Sequence, residues 1–343
     1  MPLKKEYIES HIQKYSPSLV SLGYLEPKYG WGTDDGKEIY RFKNFNKLYI
    51  CPLCAKRVVY RDEDFNSFTN EHGLIYEFTK DHYPPKSVGG STTMMICKQC
   101  NNDFGGSIDH SIEKYLYSKA LANGSSIIEY PATLTLEGLP GFVSIHTRLI
   151  SKNQIQFIVP KNNKRVIEFI AKAIEANSSD NTTFTLRLKK PPEDAIFCRA
   201  ILKTAFMQCF STWGYDFVFS PTGERMREII AGQQNHPSKK YGIYFLDRNY
   251  IQDEGIYSFK VNKTVTFYLV VIKLKLIKYN IDHEFVGAII PENTEEAWRY
   301  ISKLPLIEQE VSITTPLYKV PNYIDQMNYF AFKGENRMYY HLD

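Results

Sequence analysis

The sequence predicts an α+β protein in which a small first unit precedes a larger domain with a mainly antiparallel sheet. Three observations lead to this fold class. Segments with the apolar and polar alternation of strands recur after residue 125. Segments with helical periodicity lie between them without the regular alternation of a parallel βαβ fold. Residues 48–124, in contrast, carry two CxxC pairs and a strand, loop, strand, helix pattern.

The composition describes a folded chain of moderate charge. The chain has 343 residues, 43% of them hydrophobic, and a formal net charge of +4. This length can bury a large core and suggests two or three structural units. The charge is too small for a histone-like binder, so any nucleic-acid contact requires a local basic patch.

The cysteine usage and the hydropathy pattern indicate a reducing, cytoplasmic location. Six cysteines in a chain of this length are too few for a disulfide scaffold, and four of them form the CxxC pairs. Cys198 and Cys209 lie in an apolar helical segment, where buried thiols are expected. Neither an apolar leader nor an uninterrupted membrane span is seen, because Lys273 and Lys275 interrupt the most hydrophobic run.

The elements are expected in the following order. Apolar residues at helical spacing predict a helix over residues 5–22, inside a first segment of residues 1–47. Residues 48–124 follow, with strands at 74–79 and 92–96 and a helix at 107–121. The larger α+β domain spans residues 125–343, with strands predicted at 133–138, 142–149, 154–160, 182–190 and 263–282, and helices at 163–177 and 193–210.

The two CxxC turns supply four thiolates, which is the ligand set of a tetrahedral structural zinc. Cys51 and Cys54 form the first turn, and Cys97 and Cys100 form the second, about 40 residues later. Two unrelated pairs of buried thiols, or a redox CxxC motif, are the alternatives. A zinc ion would pin the segment between the turns, because it offsets the entropy lost in closing so long a loop.

Between the two turns lies the stretch FTKDHYPPKSVGG, residues 78–90. Asp81 and His82 come at the end of a predicted strand, so their side chains project in different directions. This arrangement suits phosphodiester hydrolysis, because a carboxylate can bind a divalent cation while an imidazole accepts a proton from water near neutral pH. The two prolines stop the strand, and the two glycines allow the chain to reverse.

Together these residues resemble the HNH endonucleases, which have a ββα-metal core. The resemblance covers residues 48–121 and rests on DHYPPKSVGG, followed by ICKQCNNDFGGSID, with a CxxC turn on either side. It implies that His82 is the general base, that Asp81 and Asn101 bind a catalytic Mg²⁺ or Mn²⁺, and that the four cysteines hold a structural zinc. The branch with an HxPPKSxGG loop and a CNN ending implies DNA as the substrate and a role in restriction or phage defence.

The chain departs from the family pattern at one position. Thr92 and Thr93 stand where the family has its middle Asn, about five residues before the third cysteine. The orientation of His82 must therefore come from a backbone carbonyl or from another side chain.

Three neighbouring residues have two interpretations each. Asp109 would share a helix face with Asn101 and could bind the cation or orient His82, or it could simply lie in the first turn of a new helix. Lys86 could neutralise a phosphate or be a solvated loop residue. His110 could be a second base or a solvent-facing helical residue.

The function of the larger domain, and two alternative functions of the whole chain, stay open. Recognition or assembly is expected of residues 125–343, because so small a nuclease core rarely selects its own target. Lys273, Lys275 and Lys278 could form a basic stripe or the wet face of a strand. The chain could instead be a noncatalytic zinc module that binds nucleic acid or protein, or an RNA-directed nuclease. A homodimer or a protein partner in a defence system is open, and no membrane partner is expected.

Overall fold

The computed structural model describes residues 3–21, 48–60, 77–122, 129–136, 140–151, 154–158, 163–176, 184–188, 194–233, 242–247, 249, 251, 253–261, 265–277, 284–301 and 317–323. The chain forms two compact units. Residues 1–112 and 194–343 form the first unit, and residues 113–193 form the second. The predicted boundaries lie after residues 47 and 124, whereas Phe210 and Tyr215 of the first unit contact Tyr49 and Ile50 beside the first CxxC turn.

The first unit begins with the predicted N-terminal helix, α1 (Lys5–Ser21). Strands β1 (Leu48–Ile50) and β2 (Val58–Tyr60) pair antiparallel on either side of the first CxxC turn. Residues 22–47, which the sequence assigned to a connecting segment, lie outside the described residues.

A second antiparallel pair and a helix follow. The pair consists of β3 (Phe78–His82) and β4 (Thr93–Cys97), and α2 (Lys98–Phe104) packs against both strands. Residues 74–76 of the strand predicted at 74–79 lie outside the described residues. The helix predicted at 107–121 is confirmed as α3 (His110–Ala122), and a π-helical turn at Gly105–Asp109 joins it to α2.

The described residues of the C-terminal part of the first unit form four helices and a five-stranded antiparallel sheet. Helix α5 (Asp194–Trp213) is apolar around its whole circumference and packs against the sheet on strands β10, β11 and β12. Ser220 caps helix α7 through the Gly223 amide. The sheet order is β13-β10-β11-β12-β9, with α6 (Tyr215–Val218), α7 (Pro221–Ala231), β9 (Ile243–Leu246), β10 (Gly255–Lys260), β11 (Thr266–Leu274), β12 (Glu284–Pro291), α8 (Glu295–Ile301) and β13 (Tyr318–Lys319) completing this part.

The second unit is a four-stranded antiparallel sheet with one helix packed on it. The strand order is β7-β6-β5-β8, and helix α4 inserts Val166 into a core made by β5 and β6. Its alternating strands and amphipathic helix are those that the periodicity predicts. The elements are β5 (Tyr130–Leu136), β6 (Val143–Ser151), β7 (Gln154–Ile158), α4 (Lys164–Ala176) and β8 (Phe184–Leu188).

An aromatic cluster joins the CxxC segment to the C-terminal helices of the first unit. Tyr15 of α1 stacks on Phe210 of α5 with ring centroids 4.5 Å apart. Tyr49 of β1 meets Tyr15, Phe210 and Tyr215 edge to face. Among the helices that the structure describes, none is long and apolar enough to cross a membrane.

Candidate functional site

The four cysteines of the two CxxC turns converge on one point and could hold a metal ion. Their Sγ atoms all lie within 4.8 Å of one another. Cys54 Sγ and Cys97 Sγ are 3.9 Å apart, close to the roughly 3.8 Å edge of a tetrahedron with metal–sulfur bonds of about 2.3 Å. The donor set and its spacing therefore fit a tetrahedral thiolate centre.

Backbone amides support the thiol cluster. The Cys97 amide donates to Cys51 Sγ at 3.4 Å, and the Cys100 amide donates to Cys97 Sγ at 3.5 Å. The second contact is also the N-cap of α2, so the helix begins at the cluster. Burial raises the pKa of Cys51, whereas hydrogen bonding with Cys100 lowers the pKa of Cys54.

Strand β3 places Asp81 and His82 on opposite sides, as the sequence predicts. Asp81 is only 6% exposed, whereas His82 is half-buried. The loop after them is tightly built, because a Cβ added to Gly90 would lie 1.5 Å from the Pro84 carbonyl oxygen. The Val88 carbonyl of the same loop accepts a hydrogen bond from the Lys275 amide at 2.9 Å, just after β11. The loop is thus fixed by close packing of its own backbone and by a hydrogen bond from the residue that follows β11.

The carboxylate of Asp81 points at a residue that the sequence did not single out. Lys203, in the middle of α5, places its Nζ 2.7 Å from Asp81 Oδ2 and 2.6 Å from Asp109 Oδ2. The Lys203 side chain is 3% exposed, so all three charged groups meet away from solvent. We refer to Asp81, Asp109 and Lys203 as the acid cluster.

The acid cluster has two carboxylates for one ammonium. Burial lowers the pKa of Lys203, but the nearby carboxylates more than offset this and raise it above its ordinary value. Burial raises the pKa of Asp109, and the charge of Asp81 adds to the effect against the opposing Lys203. The two acids thus share a single counter-ion, and the cluster has one negative charge in excess when both are ionised.

Both contacts of Lys203 are short ion pairs. Its Nζ donates a hydrogen bond to Asp109 Oδ2 at 2.6 Å and lies 2.7 Å from Asp81 Oδ2, and, against the effect of burial, both carboxylates raise the pKa of Lys203. A carboxylate oxygen has two lone pairs, so Asp81 Oδ2 keeps coordinating capacity beside the ammonium.

His82 lies opposite Thr93 in the β3–β4 register. The Thr93 hydroxyl accepts a hydrogen bond from the Tyr7 hydroxyl of α1 at 3.1 Å. Within the part of the chain that the structure describes, the His82 ring makes no hydrogen bond. Lys80, two residues before His82, is exposed and has its Nζ 4.0 Å from the ring centroid of Tyr7 in α1.

The other candidate residues take up distinct positions. Asn101 is half-buried in α2, three residues before Phe104, whose ring centroid is 5.9 Å from Lys203 Nζ. Asn101 therefore lies on the helix side that neighbours the acid cluster. The π-helical turn brings Asp109 into this cluster, which the sequence left open. His110 and Lys86 are exposed. The charge of His110 partly opposes the effect of burial, which raises the pKa of Asp109, whereas no described contact ties Lys86 to the cluster.

The donor atoms fit a hard divalent cation in their chemistry. Asp81 and Asp109 offer carboxylate oxygens and Asn101 offers an amide oxygen, which are ligands that Mg²⁺ and Mn²⁺ prefer. The buried Asp81 carboxylate has lone pairs beyond the one that faces Lys203, and such a cation could use them. A cation that bound these oxygens would have to compete with the ammonium of Lys203.

Other predictions from the sequence have mixed outcomes. Cys198 and Cys209 are buried, as expected. Lys273 and Lys275 are half-buried near the end of central strand β11, and Lys278 lies outside the described residues.

The sequence contains a signal for Lys203. A lysine in the middle of a helix that is apolar all round must be buried, and a buried lysine requires an acidic partner.

Comparisons of the chain with protein-family models, with curated proteins and with solved structures gave no match.

Proposed function

We propose that the chain is a metal-dependent endonuclease that hydrolyses DNA phosphodiester bonds, with a structural zinc in its four-cysteine centre. One observation carries the proposal most. Asp81 and His82 are consecutive residues of β3, yet the carboxylate enters a buried acid cluster while the imidazole lies on the accessible side. This separates a cation-binding group from a proton-accepting group within one strand end.

The chain's own residues divide the chemistry between them. His82 accepts the proton of the attacking water, because its ring is half-exposed and not committed to a hydrogen bond with any described residue. Asp81 and Asn101 provide oxygen ligands on the side of the acid cluster. These residues would hold a divalent cation, which would stabilise the negative charge that builds up on the phosphate in the transition state. The thiol centre fixes the start of α2, and thereby the position of Asn101.

The experiment is a nicking assay on supercoiled plasmid with zinc-loaded protein. Nicking that requires added Mg²⁺ or Mn²⁺ and is lost in His82→Ala supports the proposal. If plasmid, linear DNA and RNA all stay uncleaved at every divalent cation concentration, the proposal is wrong. RNA cleavage without DNA cleavage would keep the mechanism and replace the substrate.

A noncatalytic zinc module is the second candidate, and one observation favours it. Asp81 already has a cation in contact, the ammonium of Lys203, so its carboxylate has a structural role without any metal. A noncatalytic module would bind DNA or a protein equally well in wild-type and His82→Ala forms. Retained binding in His82→Ala together with absent cleavage in the wild type identifies this case.

A further inference from the structure

The acid cluster has the composition of a cation site that is filled by a side chain. Lys203 Nζ contacts Asp81 Oδ2 and Asp109 Oδ2 at 2.7 and 2.6 Å, and all three side chains are largely withdrawn from solvent. The ammonium is one contact of Asp81 Oδ2, and a carboxylate oxygen has two lone pairs, so a single contact does not use up its bonding capacity. A buried carboxylate pair would be strongly destabilised without a cation between its members.

The charges indicate which cation the two acids match. One ammonium leaves one negative charge in excess, whereas one divalent cation balances two carboxylates completely. Two positive charges about 4 Å apart repel each other strongly in an interior of low effective dielectric constant. A divalent cation and the ammonium of Lys203 therefore compete for the same carboxylate oxygens.

We propose that Asp81 and Asp109 together form the cation site of this protein, and that Lys203 is its resident cation, which competes with a divalent metal ion for Asp81. Asp109 is thereby a metal ligand in addition to Asp81 and Asn101. Lys203 raises the metal concentration that is needed to fill the site. When metal is scarce, its ammonium stabilises the two buried carboxylates in the folded protein. This inference rests on the proposed function for the role of Asp81 as a metal ligand.

The test measures Mn²⁺ binding to the intact, zinc-loaded chain by titration calorimetry, together with the effect of Mn²⁺ on Tm. Lys203→Met removes the competing ammonium and keeps an unbranched side chain of similar length. We expect Lys203→Met to have a Tm roughly 5–10 °C lower without metal, and to bind Mn²⁺ at least about 10-fold more tightly than the wild type. Mn²⁺ should restore most of the lost Tm, and adding Asp109→Asn to this variant should remove most of the gain in affinity.

The matched control is Lys319→Met, which removes a lysine from an exposed pair with Asp253. It should change neither Mn²⁺ affinity nor Tm appreciably. A folded Lys203→Met protein that binds Mn²⁺ no more tightly than the wild type would overturn the proposal. So would a gain that persists in Lys203→Met/Asp109→Asn, because the metal would then not use Asp109.

A second variant keeps the proposal testable if Lys203→Met does not fold. Asp109→Asn leaves Lys203 paired with Asp81 alone, so a divalent cation would have to displace it with one carboxylate fewer. We expect Mn²⁺ binding several-fold weaker than in the wild type, and unchanged binding would overturn the proposal. Because these readouts are binding and Tm, the inference stands if Mn²⁺ binds as expected and DNA is not cleaved, and the proposed function alone then fails.

Discussion

The hydroxyl of Tyr215 in α6 is hydrogen-bonded to both backbone groups of Ile50 in β1. Ile50 N donates to the hydroxyl at 2.7 Å, and the hydroxyl donates to Ile50 O at 2.6 Å. Ile50 directly precedes the first cysteine of the thiol centre. A residue more than 160 positions later in the chain therefore fixes the entry to that centre.

Tyr215→Phe should destabilise the first unit by roughly 2–4 kcal/mol, because it leaves a buried N–H and a buried carbonyl without their partner. Chemical denaturation measures this loss. Tyr318→Phe is the control, since Tyr318 is 66% exposed. Equal stability of the two variants would show that the Ile50 contacts contribute nothing.

Cys51→Ser and Cys97→Ser should each lose the bound metal and much of the thermal stability, because three thiolates hold zinc far less well than four. Elemental analysis of the purified chain should find about one zinc per wild-type molecule. Cys209→Ala is the comparison, since Cys209 is equally buried but lies in α5. If the serine variants keep their zinc, the four-cysteine centre is not its site.

His82→Ala and Asn101→Ala should impair cleavage in different ways. Loss of the base should lower the rate by roughly 10²–10⁴-fold at every metal concentration. Loss of an oxygen ligand should instead shift the response to higher Mg²⁺ or Mn²⁺. Both variants should retain zinc and fold, as neither residue supplies a thiolate. A His82→Ala enzyme with near-normal turnover contradicts the assigned role.

Gly90→Ala should destabilise the loop after His82 by about 1–3 kcal/mol or more, because the new Cβ would collide with the Pro84 carbonyl oxygen. Gly106→Ala is a matched control in the π-helical turn, where nothing lies within 4 Å of an added Cβ. It should be neutral or slightly stabilising. Comparing the melting temperatures of the two variants tests this prediction. A Gly90→Ala protein as stable as the wild type would mean that the loop backbone can move to accommodate the new Cβ.

Replacing residues 113–193 by a short flexible linker should leave a folded, metal-holding protein, since these residues form a compact unit of their own. The ends to be joined are close, because the Ser111 hydroxyl donates to the Ile196 carbonyl at 3.3 Å. Truncation after residue 124 should fail to fold, because it removes α5, Lys203 and Tyr215. Circular dichroism and zinc content are measured for the linker variant and for the truncated chain. A folded truncated chain would contradict the division into these two units.

Local patterns in the sequence predicted many of the described elements, because the period of a helix or strand depends on neighbouring residues. Strands β4–β8 and helices α1, α3, α4 and α5 fall where the periodicity placed them, within a few residues, and β11 occupies only the first part of the segment predicted at 263–282. The pairing of α5 with the CxxC segment was not predictable in this way. It depends on contacts between residues far apart in the chain, which leave no periodic signal.

The candidate site was predictable to a similar extent. The cysteine spacing predicted the thiol centre, and the strand period predicted that Asp81 and His82 face opposite ways. The role of Asp109 could not be settled, because the π-helical turn rotates it away from its position on an ideal helix. The apolar pattern of α5 predicts a core helix, and it does not identify the acids that Lys203 meets, because they lie about 95–120 residues earlier in the chain.

Asp109 is synthesised 94 residues before Lys203. At roughly 5–20 residues per second, this corresponds to about 5–20 s of translation. The four cysteines all precede Asp109, so all four thiol ligands have been synthesised while the two acids still lack their counter-ion. The acid cluster is thus completed late, only when α5 has left the ribosome, and until then Asp81 and Asp109 have no ammonium between them.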